Sequence, residues 1–169
     1  MDKDPQLAVP VLSGLIKYWP RTNSAKEVLF LNELEELLEL TQPEEFRILL
    51  QPLFKQLSSA IGSPHFQVAE RALFLWHNEY ISHLIADHRA DVLPLIFPVL
   101  HVQSQHHWNP TVNNLTLNVL KIFMEHDAAL VEDASKKYAE RQPQKDKAKR
   151  ERDELWAKLT GQANAQTAK

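Results

Sequence analysis

Residues 63–81 read Ser-Pro-His-Phe-Gln-Val-Ala-Glu-Arg-Ala-Leu-Phe-Leu-Trp-His-Asn-Glu-Tyr-Ile, and their apolar pattern decides the fold. Phe66, Ala69, Leu73, Trp76 and Tyr80 recur at helical spacing along one line, with Val68, Ala72 and Leu75 just beside it. The apolar arc sweeps roughly half the circumference, wider than the ~100° stripe of an ordinary surface helix. A helix apolar over that arc needs neighbours on two sides, which makes it an inner member of a stack. Ser63 is expected to cap it, and Pro64 to fit its first turn, where a missing N–H costs nothing. Asn78 is expected to separate it from a short segment over 79–86.

Outward from there, the chain reads as further helices. Gly62 ends a helix over 43–61, as a glycine just past a C-terminus does, and Pro52 inside it is expected to bend it. The entry to that helix, Thr41-Gln-Pro-Glu44, and the entry to the one before, Ser24-Ala-Lys-Glu27, both have the form of a capping box. The Ser24 helix carries Phe30, Leu31, Leu34, Leu37 and Leu38 on one face and Asn32, Glu33, Glu36 and Glu39 on the other. Residues 7–19 form a shorter apolar helix that Pro20 ends. On the other side, residues 89–103 are helical in pattern despite Pro94 and Pro98, and Asn109-Pro110 opens a helix that buries Val112, Leu115, Val119, Ile122 and Phe123.

These helices recur as pairs. Pro10-Val-Leu, Pro52-Leu-Phe and Pro98-Val-Leu each sit in a first helix, 42 and 46 residues apart, while Ser24, Ser63 and Asn109 each open a second, 39 and 46 apart. A period of ~40–47 residues is that of HEAT and armadillo arrays. The competing description, an irregular bundle, treats those spacings as coincidence. The expected fold is therefore all-α: an α-solenoid of HEAT- or armadillo-like antiparallel helix pairs over residues 1–135. Residues 136–169 are expected to form a long charged C-terminal helix, broken near Pro143, and a disordered tail. Between 136 and 152 eight basic residues face three acidic ones, the pattern of a solvated helix.

Composition narrows the function. With 169 residues and 44% apolar content the chain suits one domain with a sizeable core, and three glycines do not serve a sandwich or barrel. The net charge of −3 draws the protein neither to nucleic acid nor to an anionic membrane. The absence of cysteine excludes disulfides, thiol catalysis and cysteine zinc sites. No signal peptide is recognised in Met-Asp-Lys-Asp-Pro, and no apolar run is long enough to span a bilayer, so a cytoplasmic or nuclear protein is expected.

Chemistry-bearing constellations are missing. The eight histidines include no pair with the spacing of an H-E-x-x-H site, and no carboxylate completes one, so no metal or other cofactor is expected. Phosphate-binding glycine loops and a nucleophile elbow are likewise absent from the sequence. The paired carboxylates Glu35–Glu36 and Glu44–Glu45 lie on exposed helix faces, which does not suit general acid work. An enzyme is not expected. What stands out is an acidic ridge: Glu27, Glu33, Glu35, Glu36, Glu39, Glu44 and Glu45, with no lysine or arginine between 27 and 45 and only Lys26 beside it to oppose it. Read functionally, Glu33, Glu36 and Glu39 steer basic peptide segments; read blandly, they are a solvated face.

Three blocks carry a resemblance: Glu-Val-Leu-Phe-Leu-Asn-Glu-Leu-Glu-Glu-Leu-Leu over 27–38, Ser-Pro-His-Phe-Gln-Val-Ala-Glu-Arg-Ala-Leu over 63–73 with Trp76 and Asn78-Glu-Tyr-Ile81, and His107-Trp-Asn109. In this order they closely resemble the B′ regulatory subunits of protein phosphatase 2A, over about 10–138 and weakly to Trp156. The resemblance implies a HEAT-like superhelix that binds the catalytic and scaffold subunits, selects phosphoprotein substrates with basic segments, and does no chemistry itself. It also implies that the within-repeat turns, at Arg21, Asn23, His65, Gln67, Trp108 and Asn109, contact the phosphatase core, although His65, Trp108 and Asn109 read equally well as structural turn residues. The family's pocket for Leu-x-x-Ile-x-Glu motifs lies in earlier repeats, and nothing here matches it. On that reading the chain is the C-terminal part of such an array. Leu7, Val11, Leu12, Leu15 and Ile16 then lack a covering repeat, and self-association is expected.

Overall fold

A computed structural model describes the backbone of residues 8–167 and assigns no strand among them. The elements are α1 (Ala8–Lys17), α2 (Ser24–Glu39), α3 (Pro43–Ile61), α4 (Phe66–Leu73) continued by a 3-10 turn (Phe74–His77), α5 (Glu79–Asp87), α6 (Arg89–His106) and α7 (Pro110–Thr167). The chain divides into two compact units after Val131.

In the first unit the helices stack as the spacing predicts. α1 packs on α3 and α3 on α6, forming a layer of first helices, while α2 packs on α4 in the second layer. α1 pairs with α2 and α3 with α4. The third pair is α6 with the first part of α7, fastened where the Asn113 side-chain amide donates to Ser104 O at 2.6 Å. α5 is a short helix inserted between the second and third pairs. α3 lies between two neighbours in its layer and is correspondingly apolar: Phe46, Leu49, Leu50, Leu53, Phe54, Leu57, Ala60 and Ile61 are all buried. In α4 and its extension Val68, Ala69, Ala72, Leu73, Leu75 and Trp76 are buried, confirming an inner helix. Two residues on that line are not buried: Phe66 is half-buried, and Tyr80 is exposed, its hydroxyl donating to Thr41 O at 2.6 Å.

The prolines explain themselves by position. Pro52 and Pro94 are exposed and Pro98 is half-buried, and helical geometry runs through all three. A proline frees the carbonyl four residues back, here Ile48, Ala90 and Pro94, each on an exposed residue where water can serve it. Gly62 ends α3 with φ −80°, so its value is not a left-handed backbone. A Cβ at this position would stand 3.2 Å from Val99 Cγ2, and the glycine lets the end of α3 approach α6.

Helix ends depart from expectation in four places. Asn23, not Ser24, caps α2, its side chain accepting from Lys26 N. Glu27 does not close a box; it is buried and accepts from Trp19 Nε1 at 2.8 Å. At α3 the box is shifted by one, with Glu45 accepting from Gln42 N, while the Thr41 hydroxyl donates to Leu37 O. α4 starts at Phe66 with His65 at its cap, and Ser63 Oγ accepts from His65 N in the turn before it. At α2 a neighbouring polar residue takes the free backbone donor and Glu27 takes a buried partner, while at α4 Ser63 serves the turn before the helix rather than the helix itself.

Of α7, Val112, Leu115, Val119 and Phe123 are buried as expected, together with Thr116, and Ile122 is half-buried. The break falls not near Pro143 but at Asp127, which is extended (φ −159°, ψ 84°) and accepts from Leu130 N as a new cap. Arg89 Nε stands 3.5 Å from the other oxygen of that carboxylate. The second unit, residues 132–169, is helical to Thr167, and its side chains over 135–154 are mostly exposed. Pairs such as Glu132–Lys136 and Asp133–Lys137 line it, each worth a few tenths of a kcal/mol. Of the apolar residues expected to lack a cover, Leu12 is buried, Val11 is exposed, Leu15 and Ile16 are half-buried, and Leu7 lies outside the described residues.

Candidate partner-binding surfaces

The three within-pair turns each follow a first helix; the first is tied to α3, and the second and third meet directly. In the first, Arg21 Nη2 donates to Gln56 Oε1 of α3 at 3.0 Å, which ties the turn to the next pair. A parallel tie lies one pair on, where buried Gln103 donates to Ile61 O at 2.6 Å. The second and third turns meet through aromatic rings: Trp108 packs edge-on against Phe66 at 5.9 Å and lies beside the His107 ring at 5.8 Å.

These contacts sort the turn residues. Asn23 and Asn109 spend their side chains on the backbone, Asn109 Oδ1 accepting from Thr111 N at 2.9 Å. His107 Nδ1 accepts from Asn109 N and holds the third turn. His65 and Gln67 are exposed, and Trp108 is 69% exposed despite its contact with Phe66. Burying an indole of that size is a large part of a protein interface's energy, and tryptophan is enriched where partners bind most tightly.

The acidic ridge lies on α2, with Glu35 and Glu39 on the side that meets α4 and the start of α5. Glu33 and Glu36 are exposed, and neither makes an ion pair or a side-chain hydrogen bond among the described residues. Glu39 turns toward the start of α5, where Asn78 Nδ2 donates to it at 2.6 Å. The same amide donates to Glu35 at 3.2 Å. Arg71 of α4 reaches across to Asn32 and Glu35, joining the second helices of adjacent pairs. The sequence pattern named Glu33, Glu36 and Glu39 but missed Arg71 and Asn78. The available signal was that Arg71 is the sole lysine or arginine within 63–81, on a helix stacked beside a glutamate-rich one.

Between α2 and α4 runs an open groove of about 470 Å³ lined by Ala25, Val28, Gln67, Glu70, Arg71 and Phe74. Arg71 and Phe74 also line its continuation, past Glu35, His77 and Asn78. Among the described residues no group of three or more histidine, aspartate or glutamate side chains is placed to hold a metal ion, and no helix is long and apolar enough to cross a membrane.

Comparison with known proteins decides the relationship. The family model described as protein phosphatase 2A regulatory B subunit (B56 family) matches residues 1–163. The chain belongs to the B56 family. It is 50% identical over 160 residues to the delta isoform of the 56 kDa regulatory subunit of Oryctolagus cuniculus, covering 94% of this chain and 27% of that protein. Identity is also 50% to the B′ beta isoform of the 57 kDa regulatory subunit of Arabidopsis thaliana, over 94% of this chain and 32% of the relative. The regulatory subunit pptr-1 of Caenorhabditis elegans is 45% identical, with 94% and 29% covered. This B56 chain thus spans about a quarter to a third of the length of these relatives.

Proposed function

We propose that this B56 chain acts as a non-catalytic regulatory module of protein phosphatase 2A, binding the catalytic and scaffold subunits and presenting substrates to them in the cytoplasm or nucleus. The observation that carries the reading is the family match over nearly the whole chain to proteins named as regulatory subunits of that phosphatase. The within-pair turns support the first half of the role. Arg21, His65, Gln67 and Trp108 stand on them with exposed side chains, and Asn23 and Asn109 hold the backbone from which they project.

The α2 face supports the second half. Glu33 and Glu36 are unpaired and Glu39 is held only by an amide, so the ridge keeps negative charge for basic segments of phosphoproteins. The test mixes this chain with purified scaffold and catalytic subunits and asks whether all three elute together in size exclusion. Co-elution is expected. Recovery of the chain by itself would favour a general helical-repeat adaptor, or a fragment that no longer engages the phosphatase, because the chain spans only part of its relatives' length.

A further inference from the structure

The groove between α2 and α4 has two chemically different ends. One carries the apolar side chains Ala25 and Val28 beside Gln67 and Glu70, and the ring of Phe74, 40% exposed, lies where the two ends meet, together with Arg71. The other is acidic, with Glu35, and with Glu39 beside Asn78. Ala25, Val28, Asn32, Glu35 and Glu39 follow one another at helical spacing on the α4 side of α2, so the change from apolar to acidic runs along a single face. Arg71, the cation lining the groove, is already engaged by Glu35 and Asn32 and is not available to an acidic ligand. Glu70 makes no ion pair among the described residues and adds to the negative balance.

We propose that this groove takes an extended peptide segment bearing an aliphatic side chain and, four residues away, a lysine or arginine. The spacing follows from helix geometry. Val28 stands about 10 Å along α2 from Glu35 and about 16 Å from Glu39, at ~1.5 Å per residue. Residues four apart in an extended chain are ~13 Å apart and point to the same side. The aliphatic group covers Val28 and Phe74 while the cation is drawn chiefly by Glu39, Glu35 being shared with Arg71. This rests on the reading of the α2 face as a surface for basic segments and adds to it an apolar anchor, a spacing and a register.

Fluorescence anisotropy with labelled synthetic peptides tests it on the whole chain in low salt. The probe carries one leucine and one lysine four residues apart in an otherwise serine and glycine background, made in both chain directions. In the better-bound direction, leucine to alanine is expected to weaken binding about tenfold, the loss set by removing a buried aliphatic side chain. Moving the lysine to eight residues away is expected to cost a similar factor. Ala25→Gln, at an exposed position, should weaken the leucine peptide and leave the alanine peptide unchanged, with helicity by circular dichroism as the control.

If leucine and alanine peptides bind equally and both weaken with Glu39→Gln, the apolar anchor is overturned and the acidic-surface reading stands. If neither peptide binds and a lysine-rich peptide also fails, both are overturned.

Discussion

Replacing Arg71 by methionine separates the two things this residue does, because the expected effects have opposite signs. Arg71 and Glu35 have side chains 21% and 24% exposed, between a surface ion pair and a buried one. Exposed pairs contribute about 0.2–1 kcal/mol, and breaking buried ones costs about 3–5 kcal/mol. Methionine keeps the apolar stem, and Asn78 still donates to Glu35, so a loss of about 1–2 kcal/mol is expected. For a chain of this size that lowers Tm by roughly 2–8 °C.

Binding of a basic peptide should move the other way. For a bound lysine taken to lie about 7 Å from the Arg71 guanidinium, removing that charge relieves about 0.6 kcal/mol in a water-like dielectric. With a Debye length of ~30 Å at 10 mM salt most of that survives, a gain of about 2–3-fold; at 150 mM, with ~8 Å, it falls below twofold. Urea unfolding followed by tryptophan fluorescence and peptide titrations at both salt concentrations measure the two effects. Weaker binding by the variant, or a gain that does not shrink with salt, would refute the assignment of the face as negatively biased. A stability loss above about 4 kcal/mol would mean that Arg71 is a core residue rather than a clamp between pairs.

Three further outcomes follow from single contacts. Gln103→Leu keeps the buried volume but strips Ile61 O of its donor, and should cost about 1–2 kcal/mol in urea unfolding; Gln103→Ala should cost about 1–2 kcal/mol more, for the apolar stem. Glu27→Ala leaves the buried indole N–H of Trp19 without its acceptor and should destabilise by about 2 kcal/mol, whereas Glu27→Gln, which can still accept, should recover most of the loss in thermal melts. Trp108→Ala should change stability by less than about 1 kcal/mol but weaken capture of the scaffold–catalytic dimer at least tenfold in interferometry, since the ring is exposed in the free chain.

The paired helices were legible because their cause is periodic. The apolar lines of α2, α3, α4 and the first part of α7 each follow a 3.6-residue period that burial reproduces, and the recurring prolines mark equivalent first helices. Helix ends were less legible, since several polar residues compete for each set of free donors. Ser24 with Glu27 satisfies the form of a capping box, yet Glu27 finds a better partner in Trp19, eight residues away in sequence and visible only once α1 folds against α2. Pro143 looked like a break because a proline forfeits a helical hydrogen bond. On an exposed helix water takes the freed carbonyl, and the break sits instead at Asp127, where a carboxylate caps the next turn and faces Arg89. At the surface, the ridge glutamates were readable from spacing. The engagement of Arg71 and Asn78 with them was not, because these contacts join residues 36 to 43 positions apart.

The role of the chain in a phosphatase assembly is tested most directly by competition. A labelled full-length B56 protein is bound to immobilised scaffold–catalytic dimer, and this chain is added in increasing excess. If its turns occupy the same surface, the labelled protein is displaced in a dose-dependent way, and Trp108→Ala shifts the curve to higher concentration. Undiminished signal at saturating chain, or a larger complex holding both, would contradict the account.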